Sequence, residues 1–70
     1  MSDYHINLFY SEEDHGWIAD IPDLEHCSAF GDTTRQALDE VLAATEAWLK
    51  AASSDRRPIP PPRYRPAAVR

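Results

Sequence analysis

Residues 4–10, YHINLFY, set Tyr4, Ile6, Leu8 and Tyr10 against His5, Asn7 and Phe9 in strict alternation. That period of two is the pattern of a half-buried β-strand. After the polar connection SEEDHG comes WIADI, a second alternating run with Trp17, Ala19 and Ile21 on one side. The two runs predict a hairpin whose loop is longer than two residues, so turn type alone does not fix its register. Pro22 ends the second strand, because proline cannot donate to a ladder, and PDLE carries turn chemistry. A third, shorter strand around HCSAF, residues 26–30, is expected to return alongside the first two.

From Gly31 the period changes from two to three and four. Leu38, Val41, Leu42, Thr45, Trp48, Leu49 and Ala52 recur at helical spacing, with Arg35, Asp39, Glu40, Glu46 and Lys50 mainly on the other side. Thr33 followed by Gln36 fits a capping box, in which the threonine accepts the Gln36 amide and the glutamine side chain reaches back to the cap. The helix is therefore expected to begin near residue 33. Glu46 and Lys50 stand four apart in the favourable order, and Lys50 near the C-terminus suits the helix dipole. One face of the helix packs on the sheet. The result is an α+β unit, a three-stranded antiparallel sheet with one packed helix, over residues 1–55.

Residues 56–70 are different in kind. They hold five of the six prolines and predict an extended, polyproline-like basic tail, an edge strand at most. Ile59 and Tyr64 are its anchors, and docking is expected as far as Tyr64 with a mobile end. Charge divides at nearly the same place: residues 1–49 carry a net −10 and residues 50–70 a net +5, within an overall −5. An acidic body repels nucleic-acid phosphates and steers basic partners toward itself. The same charge also serves solubility alone.

Seventy residues bury only about 60% of the surface the unfolded chain exposes. Small domains supplement such a core with disulfides, a metal or self-association, and the single cysteine, Cys27, excludes an internal disulfide. A homo-oligomer, dimer or tetramer, is the expectation. The N-terminus lacks the basic and apolar regions of a signal peptide, and no apolar run reaches the roughly 20 residues of a membrane span. A cytoplasmic protein with no membrane contact is expected.

Candidate chemistry concentrates in residues 16–38, where Asp20, Asp23, Glu25, His26, Cys27 and Asp32 lie close in sequence. Zinc is disfavoured, because His26 and Cys27 are adjacent and point to opposite faces of a strand, and His5 and His15 are elsewhere. Cys27 is read as a small buried apolar group rather than a nucleophile, since acidic neighbours raise a thiol pKa. Asp20, Asp23 and Asp32 could hold a divalent metal for RNA cleavage, but Asp23 suits a Pro-Asp turn and Asp32 a helix start. Trp17, Phe9 and Phe30 lack a basic patch for base stacking and are read as core or oligomer packing.

The order YHINLFY, GWIADIPDLEHCSAFGDT, QALDEVLAATEAWL and IPPP resembles the HicB-like antitoxin family over residues 4–62. Pro22, Asp23, Leu24, Cys27, Gly31, Asp32, Thr33, Ala37 and the run from Ile59 to Pro62 carry the resemblance. It implies a partial RNase H-like β-β-β-α-β fold without an established catalytic activity, and no cofactor is expected. The implied role is to neutralise a small basic ribonuclease toxin of the HicA type through an acidic surface. Asp20, Asp23, Glu25 and His26 are the candidate partner-binding residues. Members often have Pro-Gly where this chain has Glu25 and His26. No direct DNA binding is expected of this chain, because the DNA-binding domain that usually follows is not in it, and RYRPAAVR makes a poor final strand. A metal-dependent ribonuclease and an orphan that only self-assembles are the alternatives.

Overall fold

The computed structural model describes residues 4–64. Three strands, β1 (Asn7–Ser11), β2 (Gly16–Asp20) and β3 (Ser28–Gly31), form an antiparallel sheet in the order β1-β2-β3, and one helix, α1 (Thr34–Ser54), follows. This is the expected α+β arrangement of a three-stranded sheet and one helix. Among the described residues no strand follows α1, so a final strand does not form before Tyr64. Residues 65–70, where the mobile end was expected, lie outside the described residues.

Each strand is shifted from its predicted span for a local reason. Asn7 pairs with Asp20, the last residue of β2, so Tyr4, His5 and Ile6 have no strand to pair with. Ile21 turns inward instead, its N–H bonding the Cys27 carbonyl at 2.9 Å. His26 takes a left-handed backbone (φ 60°), which keeps it out of β3. The β1–β2 loop spans residues 12–15. There the Ser11 hydroxyl donates to the Asp14 carboxylate at 2.9 Å and accepts the Asp14 N–H.

One face of the sheet takes the helix. The register aligns Leu8, Ala19 and Ala29 in one row and Tyr10, Trp17 and Gly31 in the next. The core against α1 is Ala19, Ile21, Leu24, Cys27, Ala37 and Val41, with Tyr4, Ile6, Trp17, Leu38, Ala44 and Trp48 packed around it. Leu42, expected on the apolar face, is exposed, and Ala37 is buried in the core. The reason is close approach: a Cβ on Gly31 would sit 2.3 Å from the Ala37 nitrogen, so the first helical turn lies directly on the end of β3. Small residues win the centre of that contact.

Both helix ends are satisfied. Thr33 accepts the Gln36 N–H at 3.1 Å, while the Gln36 side chain reaches one residue beyond the expected cap and takes the Asp32 N–H at 2.7 Å. The helix runs on to Ser54, so Lys50, expected near its C-terminus, falls outside the last turn, which has no basic residue. Arg56, left-handed at φ 57°, and Arg57 donate their N–H groups to the carbonyls of Ser53 and Ala52, closing a Schellman motif just before Pro58. Glu46 and Lys50 form no ion pair within 4.0 Å. Phe9 and Phe30 line the open face of the sheet and are not core residues, whereas Trp17 packs edge-on against Tyr10 at 5.4 Å.

Candidate functional site, the acidic corner between β2 and β3

Residues 21–27 form a compact corner closed by three backbone bonds: Ile21 N–H to Cys27 O, Leu24 N–H to Ile21 O (3.1 Å) and Cys27 N–H to Leu24 O (3.3 Å). Ile21, Leu24 and Cys27, three apart, all point into the core. The residues between them face outward as a consequence. Pro22, Glu25 and His26 are exposed, and Asp20 and Asp23 are half-buried. A shallow cavity of about 300 Å³ opens here, with Asp20, Leu24, Glu25, His26 and Cys27 in its lining.

Cys27 is a buried apolar group, as expected. Its Sγ lies 3.8 Å from the Thr45 Oγ1, and since the Thr45 hydroxyl donates to the Val41 carbonyl at 2.7 Å, the thiol is the donor of the pair.

Asp23 is engaged from within the chain. Its carboxylate accepts the Arg63 N–H at 3.0 Å and the Tyr64 N–H at 3.0 and 3.1 Å. The Tyr4 hydroxyl donates to the Pro60 carbonyl, and the His5 ring lies 4.8 Å from the Tyr64 ring. Burial and then the nearby Asp23 charge hold the Tyr4 phenol above its ordinary pKa. Further back, Arg57 lies over the Trp48 ring at 5.6 Å, and Trp48 Nε1 donates to the Glu25 carbonyl at 2.9 Å. The tail thus straps the corner in place as far as Tyr64. Of the two expected anchors, Tyr64 makes contacts while Ile59 is exposed, and Pro60 is half-buried instead.

Glu25 and His26 keep their side chains free of the fold, 84% and 90% exposed and 4.0 Å apart. The left-handed backbone at His26 turns them outward together. Asp20, at the end of β2, points to the open face with Ile18. Asp20, Glu25 and His26 therefore share one rim, with Asp23 turned to the strap.

Asp32 does not join them. Gly31 pairs with Trp17 and Ser28 with Asp20, so Asp32 lies at the opposite end of the sheet, about 10 Å or more away by strand rise. Among the described residues no group of three His, Cys, Asp or Glu is placed to hold a metal ion. Nor, among them, is any helix long and apolar enough to cross a membrane.

Docking as far as Tyr64 was expected, but sequence reasoning missed Asp23 as the group that receives the tail, because the bonds join residues 40 and 41 positions apart and leave no local pattern. Five prolines in a row of nine were the nearest signal, since they keep the segment extended enough to lie along the corner.

The chain is similar to the UPF0150 protein ssl0259 of Synechocystis sp., 30% identical over 53 residues, which is 76% of this chain and 73% of the relative. No family model and no solved structure matches the chain.

Proposed function

The chain belongs to the UPF0150 family, and from that footing we propose that it is a HicB-like, non-enzymatic binding protein of the cytoplasm. It self-associates, and its acidic corner receives a small basic ribonuclease toxin of the HicA type. The observation that carries the reading is the rim of Asp20, Glu25 and His26, whose polar side chains the corner turns outward and which, among the described residues, spend no side-chain hydrogen bond on the fold. A carboxylate rim of this kind occupies the phosphate-binding surface of a basic ribonuclease and keeps RNA out of it. Asp23 belongs to the same corner, where it holds the strap behind the rim.

Separation of Asp32 from Asp20 and Asp23 supports the non-enzymatic reading over a metal-dependent ribonuclease. Incubating the purified chain with RNA and Mg²⁺ or Mn²⁺ tests this directly. The expected result is intact RNA. Cleavage that disappears in Asp20→Asn, with folding retained, would reverse the assignment. For the partner, the probe is a small basic ribonuclease of the HicA type, whose binding is expected to weaken with salt, because screened charges lose their attraction.

A further inference from the structure

We infer that β1 is the contact strand of a symmetric dimer, pairing antiparallel with β1 of a second copy so that Phe9 lies opposite its own symmetry mate. The inference rests on the self-association proposed above and is independent of the toxin. β1 is an edge strand, and its sequence NLFYS contains no charge and no proline in a body of net −10. Edge strands are ordinarily protected by charges, prolines or bulges. Here the reverse holds: Leu8, Phe9 and Tyr10 are 40%, 49% and 50% exposed, so large apolar groups show on both faces of the strand at once.

Position in the sheet is the cause. The helix lies over β3 and β2 and reaches β1 least, leaving Leu8 and Tyr10 on the helix side only partly covered, Tyr10 by the edge of Trp17. Among the described residues, no backbone hydrogen bond joins β1 to any segment other than β2. The second edge, β3, is shorter and carries the helix.

A second copy fits this strand better than the basic partner does, because an uncharged strand offers nothing to select cations. Centring the pairing on Phe9 sets Leu8 against Tyr10 of the other copy and Asn7 against its Ser11, with no like charges facing each other. A two-fold axis normal to the sheet keeps both helices on one side of a six-stranded sheet. The Leu8 and Tyr10 side chains of the two copies then fill the gap between the helices.

Sedimentation of the full-length chain tests this. The wild type is expected to dimerise, Phe9→Lys and Phe9→Glu are each expected to weaken association by about tenfold or more, and an equimolar mixture of the two is expected to recover it. Phe30→Thr, on the open face, is expected to leave the dimer intact. A wild type that stays monomeric up to about 100 µM overturns the inference and the self-association reading together. A dimer that Phe9→Lys leaves unchanged, or that Phe30→Thr dissociates, overturns the β1 interface alone. Amide exchange of the wild type gives a readout that needs no variant: protection of β1 is expected to fall on dilution, and protection independent of concentration counts against the pairing.

Discussion

β1 and β2 carry the same alternation of apolar and polar residues, yet they meet opposite fates. In β2, Ala19 is buried between the helix and the sheet, and Ile21 just beyond the strand is buried with it, whereas in β1 Leu8 and Tyr10, on the same side of the sheet, are exposed. The difference lies in what covers each strand. Alternation says that a strand has an apolar face; sheet order and the reach of the helix decide whether that face is used for folding or left for association. The acidic corner adds a third case, in which inward residues at a spacing of three fold the chain, Asp23 between them holds the strap, and Glu25 and His26 face solvent.

The largest test of this contrast is Leu24→Ala, expected to cost about 2–5 kcal/mol by leaving a cavity in the core, against less than about 0.5 kcal/mol for Leu8→Ala in the monomer. Urea unfolding at low protein concentration compares the two. Comparable losses would mean that β1 is part of the core.

Next in size is the corner. Asp23→Asn removes one acceptor oxygen from the strap and is expected to cost about 1–2 kcal/mol, with faster exchange of the Arg63 and Tyr64 amides, while Asp20→Asn changes stability little. Equal effects would erase the distinction between the residue that holds the strap and the residue on the rim.

Tyr4→Phe is expected to cost about 1 kcal/mol through loss of the bond to Pro60. It also has a pH signature. The Tyr4 phenol is raised above 10.0 in the fold, so the folded state disfavours the phenolate. Its contribution is complete below the unfolded value of about 10 and is lost as pH rises through the folded value. The variant should therefore lose less stability than the wild type when unfolding is followed from pH 8 to pH 11.

The smallest effect runs the other way. His26 pays for a left-handed backbone that glycine adopts freely, so His26→Gly is expected to stabilise the fold by about 0.5–1 kcal/mol. A loss of stability would place the His26 side chain in a packing role that its exposure does not suggest.

Periodicity alone made three strands and a helix legible, and Thr33 with Gln36 located the helix start to within a residue. Strand ends were less legible, because they depend on pairing: Ile6 has the right pattern but no strand to face it. Leu42 and Ala37 were exchanged for a similar reason, since hydropathy favours leucine whereas close contact with Gly31 requires something small. At the candidate site, the turn at Pro22 and Asp23 and the buried Cys27 could be read from residue type. Asp23 as the partner of the docked tail could not, because a carboxylate reaching 41 positions along the chain leaves no mark in its neighbours. Nor does position 26 announce its left-handed backbone, since the residue there is histidine and not the glycine that would mark such a turn.

The central claim, an acidic rim that binds a basic partner, is tested most directly by titrating the chain with a small basic ribonuclease of the HicA type, comparing wild type with the double variant Asp20→Lys, Glu25→Lys. The wild type is expected to bind with an affinity that falls as salt rises, and the double variant is expected to lose most of that affinity while unfolding in urea at nearly the wild-type midpoint. Binding that charge reversal leaves unchanged would contradict the assignment of the partner to this rim.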